Sequence, residues 1–389
     1  MKIFASLLLV AAAILPAAAE TGPTDQQVLS GLDYSLPSRE HDVAVVIGIE
    51  DYHDIPTKSD YSADDARLVK SYLLSLGFRE TNIQLLINGD ASGAGFNKTM
   101  RHWLPDHVKP DSTVVFYYSG HGAPDVTSNP AKPQAYLVPY DGDPNYLPDT
   151  AYKVATLYDS LGKLNAAKVV VVLDSCFSGA GEHSVLATGA RALVNQFSLP
   201  AGAIAPNMAV LTATKANEMS VSDPALKHGV LTFNFLKALR EGQTDLYAIY
   251  KSIQEPVQDE AKGVHNIDQT PQYMSGTAPA LGLFTLADPK AIAAAREEIA
   301  RAAAEAAKKN AEADRLAKER ADFEAQKKAA ADQQAAEAQR MRDENARLER
   351  ERQQKALEDQ RELEDQRRRI EADKASAPAG EPAFVPPTF

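Results

Sequence analysis

Between residues 41 and 287, short apolar runs alternate with segments whose apolar residues recur at helical spacing. The run VAVVIGIEDY at 43–52 is continuous, which is typical of a strand buried on both faces of a parallel sheet. The segment 62–78 begins with the N-cap residue Ser62 and ends near Gly77, so it predicts a helix. This alternation predicts an α/β fold in which helices cover both faces of a mostly parallel central sheet.

The same pattern predicts the other elements of this region, which at about 245 residues is long enough to bury a full core. It contains no tandem repeat. Further strands are predicted at 82–87, 112–120, 135–140, 168–174, 208–214 and 281–286, and helices at 94–104, 155–164, 229–239 and 244–255.

The composition changes after this region. Residues 290–377 contain no Gly and no Pro, and their alphabet of Ala, Gln and charged residues predicts one helix of about 130 Å. Large apolar residues recur in pairs seven apart, but the pairs do not keep one heptad register. Two alternatives stay open, a partial coiled coil and a solvated single helix held by i,i+4 ion pairs. The pairs are Ile292/Ile299, Leu316/Phe323, Met341/Leu348 and Leu363/Ile370.

The N-terminal segment suggests export. Residues 1–19 have a basic start, an apolar run and an A-x-A site before Glu20, which predicts a secretory signal cut after Ala19. The apolar run is too short to span a bilayer, and no membrane span is expected. Residues 20–40 are predicted to be a leader or linker, 41–288 the globular domain, 289–374 the helix, and 375–389 a disordered end. The expected location is the periplasm or the exterior.

The formal net charge of -12 lies outside the helix. Residues 290–374 hold 21 basic and 21 acidic residues, which leaves 20 basic and 32 acidic residues elsewhere. A nucleic-acid partner is not expected, because such proteins usually present a basic face. An acidic domain would instead steer basic substrates towards itself.

The sequence holds a single cysteine, Cys176. Exported proteins often pair their cysteines, so a lone thiol is either inert and buried or chemically used. Cys176 follows the predicted strand 168–174, and His121 follows the strand 112–120. Sites in open parallel sheets form at the carboxyl ends of the strands. A thiol beside an imidazole there would be an activated nucleophile, and the flanking glycines would expose N–H groups that hold an oxyanion.

The two loops also carry a family resemblance. YYSGHG at 117–122 and DSCFSG at 174–179 resemble the catalytic motifs of caspase-like cysteine peptidases, most closely those of the bacterial metacaspase and orthocaspase branch. Other segments within about 43–287 resemble the same domain: VAVVIGIEDY, SADDA, LVPYDGDP, HGVLTFNFLKAL and DQTPQYMSG. One departure is Phe177, where metacaspases often carry His. The resemblance implies the caspase-like (caspase-hemoglobinase) fold.

The resemblance also implies a mechanism. Cys176 would attack the scissile carbonyl, His121 would act as general acid on the leaving amine, and the N–H groups of Gly122 and Cys176 would form the oxyanion hole. Asp174 and an Asp of the SADDA segment would make the pocket for the residue before the cleaved bond acidic. Asp65 is the better match there and Asp64 the alternative. An acidic pocket selects Arg or Lys.

Two further expectations concern the loops. The Gly- and Ala-rich segment 180–206 follows the nucleophile, where members of the family that the chain resembles are often cut, so the resemblance implies self-cleavage after its basic residue Arg191. Metacaspases often need Ca²⁺, and Asp141, Asp143 and Asp149 are the candidate ligands, although no cofactor is required by the dyad itself.

These sequence features allow three functions. The first is an exported endopeptidase that cleaves after Arg or Lys. The second is a catalytically silent caspase-fold scaffold, tethered through its helical tail. In either case the tail is a candidate for self-association or for binding a partner. The third, a redox sensor, lacks a second cysteine to resolve an oxidised thiol. The intact pair His121 and Cys176 favours the enzyme.

Overall fold

The computed structural model describes residues 24–125, 133–177 and 204–375. The signal segment and Arg191 lie outside the described residues. The strands are β1 Val43–Gly48, β2 Ile83–Ile87, β3 Thr113–Ser119, β4 Gly122–Asp125, β5 Gln134–Leu137, β6 Tyr152–Lys153, β7 Lys168–Asp174, β8 Met208–Thr212, β9 Ser222–Asp223, β10 His228–Gly229 and β11 Gln272–Ser275. The α-helices are α1 Asp25–Leu29, α2 Ser62–Ser75, α3 Gly93–Lys98, α4 Leu104–His107, α5 Leu147–Thr150, α6 Val154–Gly162, α7 Val230–Arg240, α8 Leu246–His265 and α9 Pro289–Ala375.

A six-stranded sheet forms the centre, in the order β11-β8-β7-β3-β1-β2. The five strands from β8 to β2 are parallel and β11 is antiparallel. The inner strands β1 and β3 are buried throughout, as their continuous apolar sequences predict. Two large apolar clusters contain alternate residues of these strands, such as Val46 and Tyr117 in one and Val45 and Phe116 in the other. The predicted α/β fold with a mostly parallel sheet is confirmed.

The sheet's last strand differs from the prediction. The apolar segment 281–286 contributes Phe284 and Leu286 to the core but makes only an isolated bridge at Thr285. The edge position beside β8 is taken by β11, Gln272–Ser275. Apolar content alone therefore misled, because an edge strand needs only partial burial, and all four residues of β11 are half-buried.

The predicted helix at 94–104 is interrupted. A π-helical turn, Thr99–Trp103, joins α3 to α4. The predicted strand at 135–140 pairs with β4 and β6 in a separate small antiparallel sheet, not in the central one.

Residues 24–40, which the sequence pattern predicted to be part of a linker, pack against the domain. Thr24 caps α1 through a capping box, and Val28 is fully buried. Tyr34 and Leu36 belong to the same apolar cluster as the helices α7 and α8. The N-terminal segment thus completes one wall of the core.

The helix α9 begins at Pro289, close to the predicted position, and runs unbroken to Ala375. Its first turns belong to the compact unit 1–301, where Ile292 is buried, and the rest falls in a second unit, 302–389. In the part of the chain that the structure describes, no helix is long and apolar enough to cross a membrane.

The exposed part of α9 carries an apolar stripe. Leu316 and Ile370 are 54 residues apart, which is 15 turns of a straight helix with 3.6 residues per turn. At 100° per residue, six exposed apolar residues fall within an arc of about 60°. The pairs that break a heptad register therefore share one face of a straight helix. The stripe consists of Leu316, Phe323, Met341, Leu348, Leu363 and Ile370.

Candidate active site

Strands β3 and β7 lie side by side, so the residues that follow them leave the sheet at the same edge. Ser119 is the partner of Asp174 in this pairing, and the Gly120 N–H donates to the Asp174 carbonyl over 3.3 Å. His121 and Cys176 each follow two residues after this matched pair. The parallel pairing thus brings both predicted dyad residues to one sheet edge.

Gly122 joins the two loops tightly. A Cβ at this position would lie 2.5 Å from the Cys176 carbonyl oxygen and 2.6 Å from Ser175 Oγ. Only glycine allows this approach of one backbone to the other. Gly122 and Cys176, the two predicted oxyanion donors, are therefore direct neighbours.

The imidazole of His121 is fixed on two sides. Its Nε2 lies 2.8 Å from the Thr57 carbonyl oxygen, and its ring packs against the ring of Tyr52, with centroids 4.6 Å apart and planes tilted by 30°. A carbonyl oxygen only accepts, so Nε2–H is the donor. In the neutral ring Nδ1 then carries the lone pair and is the nitrogen that can take up a proton.

Tyr52 also holds the backbone of His121. The His121 N–H donates to the Tyr52 hydroxyl over 2.6 Å, and the Tyr118 hydroxyl donates to the His121 carbonyl over 2.7 Å. Burial raises the pKa of Tyr52, so this phenol stays neutral. The two tyrosine hydroxyls therefore hold the backbone of His121 on both of its polar groups.

Cys176 is fully buried, and its Sγ donates to the Glu218 carbonyl oxygen over 3.3 Å. The Glu218 carboxylate accepts the Thr270 N–H at 2.7 Å and the Thr270 hydroxyl at 3.0 Å. The segment that covers the thiol is thus anchored to the DQTPQ segment. A substrate carbonyl reaches Sγ only when covering groups move.

The carboxylates of Asp174 and Asp65 both face the Cα of Gly229. A Cβ on Gly229 would be 2.4 Å from Asp174 Oδ2 and 3.0 Å from Asp65 Oδ2. Both carboxylates are fully buried. The strand end and the SADDA helix were predicted to contribute one acid each, and the fold brings these two side by side.

Each of the two carboxylates accepts several hydrogen bonds. Asp174 accepts the Ser220 hydroxyl at 2.7 Å and both the N–H and hydroxyl of Thr232, at 3.1 and 2.7 Å. Asp65 accepts the Ser119 hydroxyl at 2.9 Å and the Nδ1–H of His228 at 2.7 Å. The pKa of Asp65 is raised above its ordinary value, mainly because the carboxyl is buried. The hydrogen bond from His228 opposes this rise, and the neighbouring Asp174 adds to it.

The alternative residue Asp64 points elsewhere. Its carboxylate is exposed and forms an ion pair with Arg67 at 2.8 Å, one turn along α2. Of the two adjacent aspartates, only Asp65 is near Asp174.

The predicted calcium ligands do not form a common cluster. Asp141 accepts the Gly93 N–H at 2.7 Å, and Asp143 accepts the Asn145 N–H at 2.8 Å within its own turn. Asp141 and Asp149 line a surface cavity of about 290 Å³, which Asp143 does not reach. Among the described residues, no group of three or more His, Cys, Asp or Glu is placed to hold a metal ion. Calcium binding stays a prediction that this geometry does not favour.

Several residues at the site carried no signal in the sequence. Thr57 acts through its backbone carbonyl, and Glu218 through both its carbonyl and its side chain. Tyr52 lies at the end of the first predicted strand and could have been suspected from its place. Ser119 and His228 belong to recognised segments but gave no reason to expect a contact with Asp65.

A family model described as the caspase domain matches residues 41–280. The chain belongs to the caspase family. The match covers both motif loops, the SADDA helix and the DQTPQ segment, and it supports a cysteine peptidase domain that acts on proteins. The branch within the family stays a prediction. No curated protein matches the sequence at a significant level.

Solved structures resemble this caspase domain at low identity. A protein from Geobacter sulfurreducens is 17% identical, with a TM-score of 0.45, over 63% of this chain and 96% of its own. Caspase-1 from Spodoptera frugiperda is 14% identical, with a TM-score of 0.42, over 71% and 98%. The Drosophila initiator caspase Dronc is 14% identical, with a TM-score of 0.40, over 72% and 94%. The family assignment rests on the family model.

Proposed function

We propose that this caspase-domain protein is an exported cysteine endopeptidase that cleaves peptide bonds after Arg or Lys. The observation that carries the specificity is the pair of buried carboxylates, Asp65 and Asp174, which both lie against Gly229. Two adjacent acids at the sheet edge that holds the nucleophile suit a cationic side chain and would repel an acidic one.

In the proposed reaction the Cys176 thiol gives its proton to His121, and the resulting thiolate attacks the scissile carbonyl carbon. The oxyanion is stabilised by the N–H groups of Gly122 and Cys176. His121 donates a proton to the leaving amine as the C–N bond breaks, which leaves a thioester on Cys176. Water then hydrolyses the thioester, and the thiol and a free carboxyl group are released.

The test is hydrolysis of matched fluorogenic peptides that end in Arg, Lys or Asp, with and without Ca²⁺ and a reductant. We expect turnover after Arg and Lys that is lost in Cys176→Ala. Asp174→Asn should lower kcat/KM for these peptides at least tenfold while the protein stays folded. Turnover only after Asp would overturn the specificity, and turnover by Cys176→Ala would overturn the mechanism.

Export and self-processing belong to the same proposal. The N-terminal signal supports export to the periplasm or the exterior, and Arg191 supports self-cleavage in the loop after the nucleophile. Arg191→Ala should stay a single chain under conditions in which the wild type is cut. Normal cutting of this variant would remove Arg191 as the site.

A second candidate role rests on the apolar stripe of α9. We propose that two copies associate through it, because the helix has no net charge to oppose self-contact. Such association would serve a scaffold as well as an enzyme. A chain that dimerises but stays silent on every peptide would favour the scaffold.

A further inference from the structure

One short segment contacts both the nucleophile and the pocket carboxylate. Residues 215–221, the covering segment, follow strand β8 in the chain. The carbonyl of Glu218 accepts a hydrogen bond from the Cys176 thiol at 3.3 Å. The hydroxyl of Ser220 donates to Asp174 Oδ1 at 2.7 Å. Since two residues of chain span at most about 7 Å, these two contacts cannot move independently of each other.

The carboxylate of Asp174 has little room for a further partner. Its Oδ2 accepts both the N–H and the hydroxyl of Thr232, which occupies the two lone pairs of that oxygen. Its Oδ1 accepts the Ser220 hydroxyl. A guanidinium or ammonium group binds a carboxylate more strongly than a neutral hydroxyl does, because the hydrogen bond is charge-assisted. A cationic side chain that binds Asp174 therefore competes with Ser220 for Oδ1.

Both contacts of the covering segment are closed to solvent. Cys176, Asp174 and Ser220 are all fully buried. A peptide must bring its scissile carbonyl to Sγ and its side chain to the carboxylate, so the covering segment has to move before cleavage. The structure is thus that of a closed form, and cleavage requires an open one.

The DQTPQ segment holds the covering segment in this closed form. Gln269 Oε1 accepts the Val221 N–H at 3.0 Å. Thr270 donates both its N–H and its hydroxyl to the Glu218 carboxylate. Gln269 Nε2 is buried and has no hydrogen-bond partner among the described residues. An unpaired buried donor is unfavourable, so the closed form is anchored without being fully satisfied, which favours a second arrangement of the segment.

We propose that the covering segment couples the pocket to the nucleophile. A cationic side chain that takes Asp174 Oδ1 from Ser220 also draws the Glu218 carbonyl away from the thiol. This inference rests on the proposed cleavage after Arg or Lys. The correct substrate then uncovers the thiol that cleaves it, whereas a peptide without a cation leaves the thiol covered. Ser220 is in this sense a positioning residue that acts through the segment.

The test follows alkylation of Cys176 by iodoacetamide, which needs no turnover and reports on one thiol, because the chain has a single cysteine. The probe is benzamidine, a cation that resembles the Arg side chain and has no scissile bond. We expect saturating benzamidine to speed alkylation of the wild type roughly fivefold, because it binds the open form and raises its population. A ligand that only fills the site would slow the reaction.

Calorimetry of the same protein separates two kinds of failure. Benzamidine that binds while alkylation stays unchanged or slows would overturn the coupling and leave the cationic pocket intact. Benzamidine that does not bind at all would overturn the proposed pocket, and the inference with it.

Ser220→Ala removes the hydroxyl that competes for Asp174. Alkylation without ligand should become roughly fivefold faster, benzamidine should then change it by less than about twofold, and the Kd of benzamidine should fall. A direct effect of the ligand's charge on the thiol would persist in this variant, so undiminished acceleration by benzamidine would refute the role of Ser220. The control is Ser30→Ala, because Ser30 donates its hydroxyl at 2.8 Å on the exposed surface. It should behave as the wild type.

Thr270→Val tests the covering segment from its other anchor, and it gives an answer even if Ser220→Ala fails to fold. It removes the hydroxyl that binds the Glu218 carboxylate at 3.0 Å and leaves Ser220 in place. Alkylation without ligand should rise roughly threefold, and benzamidine should still accelerate it. The exposed Thr277→Val is the matched control and should change neither rate. Equal rates in Thr270→Val and the wild type would show that this segment does not limit access to the thiol.

Discussion

At the level of single residues, the groups that hold His121 in place come from outside the two motif loops. The Tyr52 hydroxyl accepts its N–H, the Tyr52 ring packs against its ring, and the Thr57 carbonyl accepts a hydrogen bond from its Nε2. A buried N–H left without an acceptor costs about 1–3 kcal/mol. The hydroxyl of Tyr52 therefore helps to hold His121 in place.

Tyr52→Phe keeps the ring and removes only this hydroxyl. We expect kcat to fall roughly tenfold with little change in KM, because the histidine loses its anchor while the pocket stays intact. Tyr146→Phe is the control, since Tyr146 is exposed. Unchanged kcat in Tyr52→Phe would show that stacking alone positions the imidazole.

Glu260 shows how burial of one carboxyl affects stability. Burial raises its pKa to about 7, and the hydrogen bond from Asn234 at 2.8 Å opposes this effect. The folded pKa exceeds the unfolded one, so the folded state binds more protons between the two values. Stability therefore falls as pH rises from about 4.5 to 7.

Glu260→Gln should remove this loss. We expect a free energy of unfolding at pH 8 that is higher by about 1–3 kcal/mol, with little gain at pH 4.5, measured by urea denaturation. Glu255→Gln, exposed on the same helix, should change neither value by more than about 0.5 kcal/mol. An equal gain at both pH values would show that ionisation is not the cause.

At the level of helices and strands, the packing of α9 determines where the globular domain ends. The composition changes at Pro289, but the first turns of α9 still pack on the core through Ile292. Arg296 lies over the ring of Tyr34, 5.4 Å from its centroid, and donates to the Arg240 carbonyl. The globular unit therefore includes the beginning of the long helix.

Two isoleucines one heptad apart test this boundary. Ile292→Ala should lower the free energy of unfolding by about 2–4 kcal/mol, because Ile292 is 3% exposed. Ile299→Ala, where the side chain is 42% exposed, should cost less than about 1 kcal/mol. Equal effects in chemical denaturation would place the end of the folded unit elsewhere.

As a whole, the molecule consists of two chemically different parts. The globular part carries the net negative charge, whereas the helix balances its charges and exposes one apolar stripe. A stripe that follows 3.6 residues per turn favours packing of nearly straight helices over a left-handed supercoil.

Met341→Gln with Leu348→Gln interrupts the stripe at its middle. We expect dimers seen by sedimentation velocity to be lost or weakened at least tenfold. Leu357→Gln is the control, because Leu357 is as exposed but lies about 140° around the helix from Leu316. Dimers that lose stability in the control and not in the double variant would place the contact on another face.

The pattern of apolar residues is enough to specify the type of this fold and the meeting of its two candidate dyad residues. Continuous apolar strands specify a buried parallel sheet, and the strand ends that carry His121 and Cys176 must then meet, because parallel strands share one edge. The sequence also determined the long helix, since a segment without Gly or Pro and rich in helix formers has no competing local structure.

Features that depend on contacts between residues distant in the chain follow only from the tertiary structure. It selected Asp65 over Asp64, since only packing of α2 against the sheet determines which of two adjacent carboxylates is buried. It placed β11 at the edge and covered Cys176 with the Glu218 segment. It also put His228 on Asp65, 163 residues away in the chain. Local patterns report which residues are buried or helical, but not which partners they meet.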